Sequence, residues 1–109
     1  MKDEQVYACS RFRTKNRLPV LSYFDKRTGC SIWRASQCMN GLMNNRAIED
    51  EIMISEIGKT AVSKNSKVVI YDARPKLNAM ANKLKSGGFE DGRYYRNTEL
   101  VFCDIDNIH

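Results

Sequence analysis

The sequence has few of the residues that build metal centres, disulfide frameworks or membrane spans. It contains one histidine, His109, and no apolar run long enough to cross a bilayer. Its opening Met-Lys-Asp-Glu-Gln lacks the apolar core of a signal peptide. The four cysteines lie far apart without a paired motif, so we expect reduced, cytosolic thiols and no zinc site. They are Cys9, Cys30, Cys38 and Cys103.

Two motifs of phosphate chemistry are also missing. Gly58-Lys59-Thr60 looks like the end of a P-loop, but that motif needs a glycine where the chain has Met53. A P-loop also follows a strand, whereas these residues lie in a predicted helix. A thiol phosphatase needs a Cys-x5-Arg loop, whose backbone N–H groups and arginine cradle phosphate and lower the cysteine pKa. The residues six places after the four cysteines are Lys15, Ser36, Asn44 and His109. The chain therefore contains neither of these two motifs.

The composition predicts one soluble domain with a positive surface. At 109 residues with 42% hydrophobic side chains, the chain can bury one small core. Its net charge of +5 favours an anionic partner, which could be a phosphoinositide membrane, nucleic acid or an acidic protein. The basic residues are mostly dispersed, and we interpret their one local cluster as part of a solvated surface. That cluster comprises Arg11, Arg13, Lys15 and Arg17.

Apolar spacing and turn residues predict an α/β fold. The predicted elements are a helix over residues 3–16, a hairpin of strands 18–24 and 30–34, a helix over 46–62, a strand over 67–72, a helix that begins near Pro75 and ends at Gly87 and Gly88, and a last strand over 100–105. The continuous apolar run of residues 67–72 predicts a strand that helices bury on both faces. In the helix after Pro75, one side is expected to pack; it carries Leu77, Met80, Ala81 and Leu84.

Asparagines stand where two of the predicted strands end. They lie in the segments 71–83 and 104–109. Ligand sites in α/β sheets gather at the carboxyl ends of strands, and a neutral amide both donates and accepts hydrogen bonds. The two strand ends therefore predict a pocket for a hydroxyl-rich, phosphorylated substrate.

Four strings in chain order resemble a known family. They are Arg11-Phe12-Arg13-Thr14-Lys15-Asn16-Arg17-Leu18-Pro19-Val20-Leu21-Ser22-Tyr23, Arg34-Ala35-Ser36-Gln37, Tyr71 through Glu90, and Glu99-Leu100-Val101-Phe102-Cys103-Asp104-Ile105-Asp106-Asn107-Ile108-His109. Together they resemble the myotubularin phosphatase domain, a lipid-phosphatase branch of the protein-tyrosine-phosphatase superfamily. The resemblance implies that residues 1–109 form the N-terminal part of such an α/β domain, with a mixed sheet flanked by helices.

The resemblance also implies an activity. It is removal of the 3-phosphate from phosphatidylinositol 3-phosphate or phosphatidylinositol 3,5-bisphosphate through a cysteinyl-phosphate intermediate, without a metal cofactor. In that family the Cys-x5-Arg loop lies downstream of the string that ends here at His109. This chain alone lacks such a loop and is therefore predicted to be catalytically inactive. What carries over is substrate contact, at Asn82, Asn107 and Ile108. Asp72 and Arg74 we interpret as structural, because a strand-end aspartate can cap the next helix and pair with the arginine.

Some residues depart from the family pattern. Relatives usually show Cys-Ser-Gln-Pro where this chain has Ala35-Ser36-Gln37-Cys38, and three glycines where it has Ser86-Gly87-Gly88. The second strand of the predicted hairpin also differs from the family pattern, because it carries Trp33. Two functions therefore stay open: part of an active lipid phosphatase, or a non-catalytic pseudophosphatase that binds phosphoinositide or a protein.

The expected partners follow from the same resemblance. They are a phosphoinositide headgroup, the surface of endosomal or other phosphoinositide-bearing membranes, and other myotubularin-like proteins in a homo- or hetero-oligomer. The protein is expected to be cytoplasmic and peripheral on these membranes. A nucleic-acid partner would rest on charge alone and is not expected.

Overall fold

Three α-helices, one short 3-10 helix (Thr14–Asn16) and two small sheets make up the part of the chain that the structure describes. The computed structural model describes residues 1–40, 45–61, 67–83 and 87–106. The elements are α1 (Asp3–Arg11), β1 (Val20–Phe24), β2 (Ser31–Arg34), α2 (Ile48–Lys59), β3 (Val68–Asp72), α3 (Lys76–Lys83) and β4 (Thr98–Phe102). The predicted α/β class is confirmed, with the strands in two separate two-stranded sheets.

The predicted hairpin is formed by β1 and β2, which pair antiparallel. Its turn is closed by Asp25, whose N–H donates to the carbonyl of Cys30 at 2.9 Å and whose carbonyl accepts the N–H of Gly29 at 2.8 Å. Gly29 has φ of 72°, a left-handed conformation that suits a residue without Cβ. All five residues of β1 are exposed, whereas Ser31 and Trp33 of β2 are half-buried.

The second sheet pairs β3 with β4 in parallel, in register from Val68 opposite Thr98 to Asp72 opposite Phe102. Parallel neighbours need a long crossover connection, and α3 lies within it.

The prediction that β3 is buried on both faces is wrong. Tyr71 is 70% exposed and Val69 is also exposed, whereas Val68 and Ile70 are half-buried. An apolar run therefore identified the strand correctly, but only one face of β3 is covered.

The first helix packs on the second and is shorter than predicted. Cys9 of α1 is fully buried, and Ile54 of α2 is buried. Helix α1 ends at Arg11 rather than at residue 16 because Arg13 is extended, with φ of −108° and ψ of 145°, and forms an isolated antiparallel bridge with Cys38. The bridge places residues 36–39 beside the end of α1.

The packing side predicted for α3 is exposed. Leu77 is 80% exposed, and Met80 and Ala81 are exposed as well, whereas Ala79 is buried. Leu84 lies outside the described residues. The spacing thus located an apolar helix face, but no described element covers it.

The remaining elements agree with the sequence-based predictions to within a few residues. The helix predicted over 46–62 is α2, and the last strand begins two residues before its predicted start. None of the described helices has the length and apolarity that a bilayer crossing requires.

Candidate functional site

The predicted substrate-contact residues are only partly described. Asn82 belongs to α3, but its side chain lies outside the description, and so do Asn107 and Ile108 entirely. Asn78, one turn earlier on α3, is exposed. The pocket remains a prediction, whereas the structure describes in detail a buried framework of charged side chains.

The first part of this framework is a buried cluster around Arg13, which we call the Arg13 network. The guanidinium donates from Nε and Nη2 to the two oxygens of Asp50, at 2.9 and 2.6 Å. Its Nη1 donates to Glu90 at 2.6 Å and to the carbonyl of Ser36 at 2.9 Å. The Arg13 and Asp50 side chains are fully buried, and Glu90 is nearly so. One guanidinium therefore neutralises carboxylates from two distant parts of the chain.

Tyr95 completes the Arg13 network by donating its hydroxyl to Asp50. Burial and the charge of Asp50 raise the pKa of Tyr95 well above its ordinary value, so the phenol keeps the proton that it donates. Burial by itself lowers the pKa of Arg13, but the hydrogen bonds with Asp50 and the charge of Glu90 outweigh it and raise that pKa. Around neutral pH, Arg13 therefore stays charged and Tyr95 stays protonated.

The interpretation of the basic cluster as a solvated surface is wrong for Arg13. Arg11, Lys15 and Arg17 are exposed, as that interpretation requires, but Arg13 is fully buried. Its extended backbone turns the side chain inward, because the bridge with Cys38 interrupts the helix.

A second guanidinium, that of Arg74, lies at the carboxyl end of β3. It donates from Nε and Nη2 to Asp72 at 2.9 and 2.7 Å, and from Nη1 to the side-chain oxygen of Gln37 at 2.7 Å. Its Nη2 also donates to the carbonyl of Gly88 at 2.8 Å. The structural interpretation of Asp72 and Arg74 as a pair is confirmed.

The segment 87–90 links the two guanidinium sites. Gly88 offers its carbonyl to Arg74, the carbonyl of Phe89 accepts the Asn40 amide at 2.7 Å, and Glu90 binds Arg13. This segment is therefore held in place by three separate parts of the chain.

Replacement of Asp72 by asparagine should change how stability depends on pH. Burial alone raises the pKa of Asp72, but hydrogen bonds from Arg74 outweigh it and hold that pKa below its usual range. Because the folded-state pKa is depressed, the ionised carboxylate stabilises the fold at pH values above about 3.9, the unfolded-state pKa. This stability is lost as the pH falls through the folded-state pKa. At neutral pH, Asp72→Asn should lower the free energy of unfolding by about 1 to 3 kcal/mol, because two charge-assisted hydrogen bonds are weakened.

The measurement is the urea midpoint as a function of pH, with Asp106→Asn as the control because Asp106 is exposed. The gap between wild type and Asp72→Asn should close as the pH falls below about 4. A constant gap over the whole range would contradict a stabilising charge at Asp72.

The buried thiols have the wrong pKa for nucleophilic attack. Burial raises the pKa of Cys9 to about 11 and that of Cys38 to about 12, so both are protonated at neutral pH. Cys30 and Cys103 are exposed. Within the described ranges, no three His, Cys, Asp or Glu side chains are placed to hold a metal ion.

The sequence contained a signal for most of this framework, though we predicted only its Asp72–Arg74 pair. The framework residues that fall inside the four resembling strings are Arg13, Ser36, Gln37, Asp72, Arg74, Gly88 and Glu90. Asp50 and Tyr95 fall between the strings and carried no such signal. The resembling strings thus meet in one buried framework.

Comparison with known proteins confirms the family resemblance. Residues 1–109 match the family model of the myotubularin-like phosphatase domain. This match identifies the chain as part of a phosphatase domain. It belongs to the myotubularin-like phosphatase family.

The chain is also similar to individual relatives. It is 43% identical over 107 residues to a phosphatidylinositol-3,5-bisphosphate 3-phosphatase of Gallus gallus, covering 98% of this chain and 19% of the relative. It is 43% identical over 107 residues to a myotubularin of Xenopus laevis, with 98% and 18% covered. A phosphatidylinositol-3,5-bisphosphate 3-phosphatase of Caenorhabditis elegans is 41% identical over 99 residues, with 91% and 14% covered. The chain therefore spans less than a fifth of the length of these relatives.

Proposed function

We propose that this chain is part of a phosphoinositide 3-phosphatase domain and contributes contacts to the substrate rather than the nucleophile. The substrates are phosphatidylinositol 3-phosphate and phosphatidylinositol 3,5-bisphosphate, and the reaction removes the 3-phosphate. Because none of the 109 residues forms a Cys-x5-Arg loop, the chain by itself releases no phosphate.

The observation that carries the proposal is the family match over the whole chain, together with the framework that the resembling strings build. Buried charges are costly unless every one is paired, and here two arginines bind strand-end, loop and helix residues at once. This framework supports the base of α3, because Arg74 lies two residues before its first residue. Helix α3 is the element that carries Asn82.

The substrate contacts in this proposal come from Asn82, Asn107 and Ile108. A side-chain amide gives two donors and one acceptor to inositol hydroxyls and phosphate oxygens without adding fixed charge. The net charge of +5 adds a general attraction to an anionic membrane surface. From the family resemblance we further propose that the protein is cytoplasmic and peripheral on endosomal or other phosphoinositide-bearing membranes, and that it associates with other myotubularin-like proteins.

Vesicle binding tests the role of Asn82. The chain should bind vesicles that contain phosphatidylinositol 3-phosphate more tightly than vesicles that contain phosphatidylinositol. Asn82→Ala should weaken the affinity for phosphatidylinositol 3-phosphate vesicles roughly tenfold, because one charge-assisted hydrogen bond is lost. Asn78→Ala is the matched control, because Asn78 is an exposed amide on the same helix.

Three outcomes would count against the proposal. Equal binding to both vesicles would show that the 3-phosphate is not recognised, and equal losses in the two variants would remove Asn82 from the contact. Phosphate release in the same samples would contradict the predicted inactivity. Preference for the 3-phosphate without any such release agrees with the proposal.

A further inference from the structure

One face of the β1–β2 hairpin is apolar and open to solvent. Residues opposite each other in an antiparallel pair lie on the same face of the sheet. Val20 pairs with Arg34, and Tyr23 pairs with Ile32. The first three apolar side chains of this set, Val20, Tyr23 and Ile32, are each 61% exposed, and Arg34 is exposed too. We call these four residues the Tyr23 face; the opposite face carries Trp33, which is half-buried.

The hairpin and the residues just before it are strongly basic. Residues 15–34 contain five basic side chains and a single acidic one, Asp25, which gives this segment a net charge of +4. The Asp25 carboxylate already accepts the N–H of Arg27 and the hydroxyl of Thr28, both at 3.1 Å. Among the described residues, only Arg27 of the five has an ion-pair partner, and its distance to Asp25 is 4.0 Å. The five basic residues, all exposed, are Lys15, Arg17, Lys26, Arg27 and Arg34.

These cations stand at both ends of the Tyr23 face. Lys26 and Arg27 lie in the turn between β1 and β2, whereas Arg17 precedes β1 and Arg34 ends β2. Long basic side chains place their charged heads in a polar layer while their apolar stems contact a less polar one. A tyrosine, with an apolar ring and a polar hydroxyl, suits the same boundary. The arrangement therefore fits a surface that is anionic outside and apolar a few ångströms below.

We propose that the Tyr23 face is a membrane-contact surface that binds an anionic bilayer. Val20, Tyr23 and Ile32 reach the boundary between the headgroups and the acyl chains, and the basic residues at both ends bind lipid phosphates. Such binding grows with the apolar area buried and with the attraction of each cation to anionic lipid. This inference rests on the proposed membrane association, but it does not rest on contacts to the 3-phosphate.

The backbone of β1 limits the depth of this contact. Strand β1 pairs with β2 alone, so within the described structure its outer N–H and C=O groups have no strand partner. Unpaired backbone groups are not tolerated in the hydrocarbon core of a bilayer. The hairpin therefore lies in the hydrated interface, where water and headgroups satisfy its outer edge.

Charge and apolarity together favour a bilayer over other occupants. A second copy of the chain would bring one +4 segment against another, and like charges in contact repel. Nucleic acid would engage the cations through its phosphates but would leave the aliphatic side chains of Val20 and Ile32 without a matching partner. An anionic bilayer engages both the cations and the apolar centre.

Sedimentation with vesicles that contain no phosphoinositide tests the role of the cations. The chain should bind vesicles of phosphatidylcholine with phosphatidylserine but not vesicles of phosphatidylcholine alone, and added salt should weaken this binding. The double variant Lys26→Gln, Arg27→Gln should bind about tenfold more weakly, because two cations at the turn are lost. Lys67→Gln, Arg96→Gln is the matched control, since it removes two exposed cations outside the hairpin. It should retain most of the affinity.

A pair of isoleucine variants tests the apolar part of the contact. Ile32 on the Tyr23 face and Ile48 at the start of α2 are almost equally exposed, at 61% and 58%. Ile32→Ser should weaken binding to phosphatidylserine vesicles about fivefold, because less apolar area is buried in the interface. Ile48→Ser should bind as the wild-type chain does. Circular dichroism verifies that both variants are folded.

Tryptophan emission reports whether the Tyr23 face meets the lipid. Trp33 is the single tryptophan, so Tyr23→Trp in a Trp33→Phe background places the only indole on this face. Phosphatidylserine vesicles should shift the emission of this variant to shorter wavelengths, and lipids with brominated acyl chains should quench it. Tyr7→Trp in the same background is the control, because Tyr7 is 64% exposed on α1. Its emission should not change.

Three results would overturn the proposal. They are no binding to phosphatidylserine vesicles at low salt, equal losses in the hairpin variants and their controls, and binding that leaves the emission of the Tyr23→Trp variant unchanged. A dimer that forms without lipid and shields Tyr23 would assign the face to a second copy instead. Asn82→Ala should bind these vesicles as the wild-type chain does, because they hold no 3-phosphate. Loss of this binding with a retained preference for the 3-phosphate would therefore reject the hairpin contact alone.

Discussion

Replacing Arg13 by methionine should cause the largest loss of stability of any substitution proposed for this chain. Methionine keeps much of the apolar stem but removes the guanidinium, which leaves the buried carboxylates of Asp50 and Glu90 without their cationic partner. Removing one partner of a buried ion pair costs about 3 to 5 kcal/mol. Because small domains are stable by only about 5 to 15 kcal/mol, this loss removes a large part of the total free energy of unfolding.

Urea unfolding followed by circular dichroism measures this effect. The matched control is Arg11→Met, since Arg11 is exposed and lies only two residues earlier. It should change the free energy of unfolding by less than about 0.5 kcal/mol. A loss below about 1 kcal/mol for Arg13→Met would show that the network does not stabilise the fold.

A double variant separates the loss of charge pairing from the loss of packing. Asp50→Asn removes one of the two carboxylates that Arg13→Met leaves unpaired, so the double variant should be more stable than the sum of the single losses predicts. Additive losses would mean that the stem of Arg13 matters more than its charge. The prediction of strong coupling would then be wrong.

Replacing Gly88 by alanine should produce the second large loss. A Cβ at this position would lie 1.7 Å from Oδ1 of Asn40. Asn40 has little freedom to move away, because it is buried and its amide holds the carbonyl of Phe89. Overpacking of this kind costs about 1 to 3 kcal/mol or more, and here it also displaces a segment that both guanidinium sites bind.

The chain offers a close control for this substitution. A Cβ added at Gly92 would meet no atom within 4 Å, so Gly92→Ala should change stability by less than about 0.5 kcal/mol. Shortening the clashing side chain in Asn40→Ala should recover part of the Gly88→Ala loss. Equal stability of the two alanine variants would contradict the close contact at Gly88.

Features set by neighbouring residues were predictable from the sequence. The hairpin turn depends on Asp25 and Gly29, four residues apart, and the pairing of Asp72 with Arg74 spans two residues. In such cases the spacing itself limits which groups can meet. Both predictions are confirmed for that reason.

Features set by distant residues were not predictable. Arg13 looked like a member of a surface cluster, because its partners Asp50 and Glu90 lie 37 and 77 residues away. For α3, the pattern identified an apolar side but could not identify what covers it, and Leu77 is exposed in the described structure. The substrate contacts at Asn82, Asn107 and Ile108 rest on the family resemblance and stay predictions.

The long sequence separation within the Arg13 network has a consequence for biosynthesis. Asp50 becomes available to Arg13 before Glu90 and Tyr95, which are added to the growing chain only later. Closing such long loops is slow, and the gain in energy arrives with the last contacts. A nascent chain that has not yet reached residue 95 therefore holds an incomplete charge cluster, and in that interval we expect it to depend on chaperones to stay soluble.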